Sequence, residues 1–219
     1  TARSNLAGCG IQTAALAFGG SPTTAETESY NGTNWTEVND LGTARYLLAG
    51  AGTQTAALAI GGIPPAPAAG LTELWNGTNW TEVNDLNTAR YTLSSVGIAT
   101  LALAFGGHTG PKTQTETWNG TNWTEVNDLN TGRVELSGAG TTTSALAFGG
   151  STSPKAQTES WNGTNWTVAN NLNTGRQRLA GAGATNTSAL AFGGQPTTAA
   201  TEEFNSGFAV GTWSTGGAL

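Results

Sequence analysis

A chain of 219 residues, only 10% of them charged, carries a formal charge of −6 and 32 glycines. An acidic balance with no basic patch argues against nucleic acid or an anionic membrane as partner, and no apolar run reaches the length of a membrane span. The single cysteine, Cys9, excludes an intrachain disulfide; no signal peptide is recognised, and the lack of Met fits a processed product, a fragment or an engineered chain.

Residues 3–41 set the pattern for the rest. The run from Asn5 to Gly10 is short and built of small residues, and predicts a first strand, a. Ala14 to Phe18 predicts strand b, because Leu16 and Phe18 share one face and Ala15 and Ala17 the other, the period of two that a strand requires. Gly19-Gly20 ends it, and a Ser/Pro/Thr loop leads to strand c at Thr27 to Tyr30. Asn31-Gly32 is a hairpin signal that hands over to strand d at Trp35 to Val38, and Asn39-Asp40 closes the unit.

The same unit recurs along the whole chain. Gly-Gly pairs begin at Gly19, Gly61, Gly106, Gly149 and Gly193. Trp35, Trp80, Trp123, Trp166 and Trp213 follow in step, each preceded by an aromatic at Tyr30, Trp75, Trp118, Trp161 or Phe204. The stretch from Trp75 to Arg90 differs from that of Trp118 to Arg133 only where Ala89 becomes Gly132, so the units are recent duplicates or a deliberate consensus. Such a period of 42–45 residues means a repeat architecture, here with blades near 1–41, 42–86, 87–129, 130–172 and 173–219 of a single domain.

A four-stranded unit that is apolar on both faces must stack on its neighbours. The bulky pairs Leu16/Phe18, Leu58/Ile60, Leu103/Phe105, Leu146/Phe148 and Leu190/Phe192 are expected to seat on the flat alanine face of the next unit. The Ala-Gly-rich a strands suit an innermost position, where five strands crowd one axis. Trp213 is followed six positions on by Leu219, as Trp166 is by Leu172, and the missing continuation is what Thr1-Ala2-Arg3 supplies. The expectation is an all-β, five-bladed propeller, a closed ring with Thr1 and Leu219 adjacent.

An apolar strand ending in Gly-Gly, then a spaced aromatic, a Trp and an Arg, resembles the kelch repeat over essentially the whole chain. It departs from kelch in its five blades, short units and Ala/Gly-rich inner strands, while WD40 is less similar because no Trp-Asp or Gly-His signature falls at the expected places. The Trp-Asn-Gly-Thr-Asn-Trp hairpins and Leu-Asn-Thr-Ala-Arg joints are similar to kelch-like repeat proteins encoded by marine phages. That resemblance implies a virion-associated setting and no established activity.

Five arginines keep the same beat, Arg3, Arg45, Arg90, Arg133 and Arg176, at the start of each a strand, where they are expected to encircle the channel mouth. They read either as an anion site for carboxylate, phosphate or acidic sugar, or as structural partners of Glu28, Glu73, Glu116, Glu159 and Glu202, which begin strand c on the same face. Equal numbers at equal depth favour the pairs. His108, the only histidine, lies in a loop with no nucleophile elbow or His/Cys cluster around it, and reads as an ordinary loop residue. Cys9 fills a position held by Ala51, Ala139 and Ala182. A glycosidase needs two differently tuned carboxylates, and repeat copies are poorly suited to that; Glu26, Glu135 and Glu203 fall at unrelated positions. No enzyme and no cofactor or metal is therefore expected.

The Asn-Gly-Thr and Asn-Trp-Thr triplets are formal glycosylation acceptors that a hairpin role explains. The flanking aromatics read as blade packing before sugar stacking. Variation concentrates in the b–c loops, Ser21 to Glu26, Ile63 to Leu71, His108 to Gln114, Ser151 to Gln157 and Gln195 to Ala200, which hold both lysines, Lys112 and Lys155. Loops on a rigid scaffold carry function. The sequence thus points to a non-enzymatic, monomeric binding or structural module meeting a glycan or protein on the b–c loop face, the alternatives being a designed or consensus scaffold without natural ligand and, less favoured, a glycoside hydrolase.

Overall fold

The computed structural model describes residues 1–65, 70–152, 155–196, 199–206 and 211–217. It is a five-bladed β-propeller, with no helix among the described residues. Blade 1 is β1 (Ala7–Ile11), β2 (Ala14–Phe18), β3 (Thr27–Tyr30) and β4 (Trp35–Val38), antiparallel in sequence order. Blade 2 is β5 (Ala49–Gly52), β6 (Ala57–Ile60), β7 (Thr72–Trp75) and β8 (Trp80–Val83). Blade 3 is β9 (Ser94–Ile98), β10 (Leu101–Phe105), β11 (Thr115–Trp118) and β12 (Trp123–Val126). Blade 4 is β13 (Ser137–Thr141), β14 (Ser144–Phe148), β15 (Thr158–Trp161) and β16 (Trp166–Ala169). Blade 5 is β17 (Ala180–Thr185), β18 (Ser188–Phe192), β19 (Thr201–Asn205) and β20 (Thr212–Thr215). The inner strands of all five blades line one channel walled by Gly8, Gly50, Gly138, Gly181 and their neighbours. Leu219, expected beside Thr1, lies outside the described residues, as do 66–69, 153–154 and 197–198 of the b–c loops.

One strand boundary differs from expectation, and the hairpins keep the expected bounds. Strand a starts at Ala7 rather than Asn5, because Asn5 sits at φ 53° and turns the chain out of the extended region. The c–d hairpin is a four-residue loop, with Tyr30 directly opposite Trp35. The Asn31 side-chain oxygen accepts the N–H of Thr33 and of Asn34, and Gly32 takes φ 92°, so the turn is built by an Asn side chain standing in for a backbone acceptor. Asn76, Asn119 and Asn162 repeat it.

Four blade junctions follow one recipe. The bulky residues of strand b bury on the alanines of the next blade: Leu16 and Phe18 of blade 1 pack with Ala57 and Ala59 of blade 2. The tip of Phe18, Phe105 or Phe148 meets the ring of Trp80, Trp166 or Trp213 edge-on at 4.9–5.1 Å. A β-carbon on the facing Gly50, Gly138 or Gly181 would collide with the same phenylalanine tip. Where blade 2 offers the shorter Ile60, blade 3 carries Ser95 in place of that glycine, and its hydroxyl bonds Gly50 O at 3.0 Å. Each interface Trp then donates its indole N–H to a strand-c threonine of the preceding blade: Trp80 to Thr27, Trp123 to Thr72, Trp166 to Thr115 and Trp213 to Thr158, at 3.0–3.1 Å. Fully buried Leu58, Leu103 and Leu146 each stabilise by roughly 1.5–3 kcal/mol relative to exposure.

The junction of blade 5 with blade 1 has the same residues without the contacts. Trp35 is 50% exposed and Leu190 39%, where Leu16, Leu58, Leu103 and Leu146 are at 0–1%. The hydroxyl of Thr201, at the position of Thr27, is buried with no partner.

Candidate functional site

The five arginines do not project into the channel. Arg45, Arg90, Arg133 and Arg176 are fully buried within their own blades. Each pairs with the carboxylate on strand c of that blade: Arg45 with Glu73 and Arg90 with Glu116 at 2.5 Å, Arg133 with Glu159 and Arg176 with Glu202 at 2.9 Å. A second amino group of each guanidinium reaches carbonyls of the same blade, as Arg45 does to Ala59 O and Arg90 to Ala104 O, while the Nε of all four is buried without a partner. The carboxylates in turn accept backbone N–H groups of the d–a joint, Gly42 to Glu73 and Asn87 to Glu116. Burial pulls Arg45, Arg90 and Arg133 below the ordinary guanidinium range, with the facing glutamate opposing it. Arg3 differs: it pairs with Glu28 and Glu26, and Glu28 also binds the N-terminal ammonium at 3.0 Å, which together hold the Glu28 carboxyl below its usual range. These groups stitch strand a to strand c. They leave no guanidinium ring at the mouth for an anion.

What does surround the mouth is the pair of residues after each arginine. The blades share Arg-x-x-Leu: Arg3 to Leu6, Arg45 to Leu48, Arg90 to Leu93, Arg133 to Leu136 and Arg176 to Leu179. The second variable residue, Asn5, Leu47, Thr92, Glu135 or Arg178, is left-handed in every blade, with φ from 51° to 57°. None is glycine, although glycine alone takes this conformation without strain, and β-branched Thr92 is the least suited of the five. Their backbones clasp one another around the axis: Leu47 N–H donates to Asn5 O, Thr92 to Leu47, Glu135 to Thr92 and Arg178 to Glu135, at 2.9–3.2 Å. Among the described residues no matching bond runs from Asn5 to Arg178.

These residues and the five following leucines line an open pocket of about 200 Å³. Its floor is aliphatic; its rim is Asn5, Leu47, Thr92 and an ion pair between Glu135 and Arg178 at 2.6 Å. The first variable residue faces outward to the b–c loop, where Ser4 bridges Ser21, Tyr46 bridges Ile63, Tyr91 bridges His108, Gln177 bridges Gln195, and Ser151 N–H donates to Val134 O. The two residues after each arginine and the b–c loop thus converge on one end of the channel.

His108 stacks on Tyr91 at 5.0 Å, and its Nδ1 is buried without a partner. Lys112 is half-buried in the same loop, its backbone bridging Arg133, and Lys155 is exposed. The arginines thus form the Arg–Glu pairs that their equal numbers favour, inside the blades rather than around the mouth, and the residues after them line the mouth instead. The sequence signal for the mouth is the contrast inside Arg-x-x-Leu, where fixed ends flank a pair of residues whose second member differs in every blade.

At the opposite end, Cys9 lines the channel among glycines, and burial pushes its thiol up to about 12. The interface tryptophans Trp123, Trp166 and Trp213 are buried between blades and serve packing. Neither a protein-family model nor a curated protein matches this chain.

Proposed function

We propose that this chain is a non-enzymatic, kelch-like recognition module, related to the phage-encoded repeats it resembles and working within a virion or surface assembly. Its ligand, a glycan or a protein, meets the b–c loop face and the channel mouth. One observation carries the reading: blades that repeat one motif elsewhere all differ at the left-handed mouth residue and in the b–c loop, and, Tyr46 and Tyr91 apart, at the residue before it, and these positions converge on one end. A ring of strained, non-glycine residues costs on the order of 1 kcal/mol each, which a scaffold without a ligand has no reason to retain in a chain this rich in glycine. The aliphatic cavity floor with a charged rim is the composition of a binding pocket.

A glycan array and a lysate pull-down, run with the wild type and with a Leu47→Gly, Thr92→Gly, Glu135→Gly triple variant, test it. The expected result is a ligand bound by the wild type and lost by the variant, which folds at least as stably. A ligand that binds both equally would move the site off the mouth. Binding by neither would favour a consensus scaffold, the reading that the near-identity of Trp75 to Arg90 with Trp118 to Arg133 also supports.

A further inference from the structure

Four junctions of this propeller are shut by bulky strand-b residues seated on alanines and by a Trp–Thr bond, and the fifth carries residues of those types without making these contacts among the described residues. Blade 5 offers Phe192 where Phe18, Phe105 and Phe148 stand, and the unpartnered Thr201 hydroxyl where Thr27 and Thr115 accept an indole. Blade 1 offers Trp35 in the place of Trp80, half exposed, and Gly8 in the place of Gly50, Gly138 and Gly181.

The glycine is the telling residue. It recurs where the preceding blade presents phenylalanine, and gives way to Ser95 where that blade presents the shorter Ile60. Blade 5 presents phenylalanine and blade 1 answers with glycine, although nothing from blade 5 is near Gly8: the closest atoms to a β-carbon there belong to blade 1 itself. The two faces are complementary to each other in size as well as in hydrogen bonding.

We infer that the junction of blade 5 with blade 1 is a latch, which opens and closes in the native protein while the other four junctions stay shut. Closed, Trp35 donates its indole N–H to Thr201 Oγ1, Phe192 seats over Gly8, and Asn5 N–H completes the mouth ring on Arg178 O. Open, it has the arrangement described above. The latch is weaker than the other junctions for a reason in the sequence. Asn39, Asn84 and Asn127 each clamp the next blade's hairpin through two bonds, to Thr78 O and Asn79 Oδ1 in the first case. Gly217 stands at that position in blade 5 and has no side chain to donate. Because both faces belong to one chain, closing is favoured by their high effective concentration.

Two measurements test this on the whole chain. In the wild type, the indole N–H of Trp35 is expected to exchange with solvent at least tenfold faster than those of Trp123, Trp166 and Trp213, and at least tenfold slower than a free indole. Exchange as slow as theirs means the junction does not open, exchange at the free rate means it does not close, and either overturns the latch. Second, Thr201→Val is expected to lower the folding equilibrium constant by about fivefold, and Thr115→Val by at least as much, since each removes the acceptor of a Trp bond. If the seam stays open, Thr201→Val merely removes a stranded buried hydroxyl, and an unchanged or raised constant sinks the proposal. Both experiments are repeated over a hundredfold range of protein concentration with light scattering. Protection of Trp35 that rises with concentration alongside a dimer assigns the seam to a second copy, and overturns the latch as well.

Discussion

Blades 3 and 4 meet across Phe105, Trp166, Gly138 and Thr115; blades 5 and 1 bring Phe192, Trp35, Gly8 and Thr201 to the same positions and leave them apart. The residue types are the same and the burial is not. Pairwise complementarity between neighbouring blades is written in each repeat, but closure is a property of the ring, because it requires blade-to-blade angles to sum to a full turn. A sequence period reports the first and is silent on the second.

The largest effects should fall on the shut junctions. Phe148→Ala is expected to cost about 3–5 kcal/mol, since it empties a site between rigid blades, whereas Phe192→Ala should cost about 1 kcal/mol or less. Denaturant midpoints at constant slope measure both. Equal costs would erase the contrast between junctions.

Next come the arginines. Arg90→Gln strands the fully buried Glu116 and is expected to cost roughly 3 kcal/mol, with no rescue by sulfate. Arg3→Gln leaves Glu28 partly exposed and still bound to the N-terminal ammonium, so its effect should be no more than about a third as large. A sulfate-dependent stabilisation lost in both variants would restore the anion-site reading.

A smaller difference tests the indole bonds. Trp123→Phe keeps an aromatic ring and removes the donor to Thr72, at an expected cost near 1 kcal/mol in the melting curve beyond the loss of ring size, while Trp35→Phe should cost no more than that and about as much as Thr201→Val. The smallest expected signal is chemical. With its thiol held near 12, Cys9 is almost wholly protonated at pH 8, so iodoacetamide should label the native chain far more slowly than the guanidine-unfolded chain. The native rate should climb with pH toward 12; a rate equal to that of the unfolded chain at pH 8 would place Cys9 in open solvent.

How much of this was legible follows from what a period can encode. The bulky and small faces of strand b, the hairpins and the Arg–Glu pairs are intra-blade or nearest-neighbour facts, and the repeated residues state them five times. The mouth residues were not read, because Asn5, Leu47, Thr92, Glu135 and Arg178 share no chemistry, and only the backbone shows that they occupy one conformation. The arginines were placed at the mouth on their sequence position, and the structure turns them inward, since a guanidinium beside a carboxylate and open carbonyls is better held inside the blade than against four like charges. The open fifth junction is not legible in the Trp, Phe, Gly and Thr of the repeat, because all of them are present; only Gly217, in the place of Asn39, Asn84 and Asn127, marks it.

The contrast between the shut junctions and the open one is tested most directly at the mouth, in one native-state hydrogen-exchange measurement on five amides. The account predicts that Leu47, Thr92, Glu135 and Arg178, each donating to the preceding blade, exchange slowly and alike, while Asn5 exchanges at least tenfold faster than any of them. Equal protection of all five would show a ring whose fifth junction is as firmly shut as the rest, and would contradict the account.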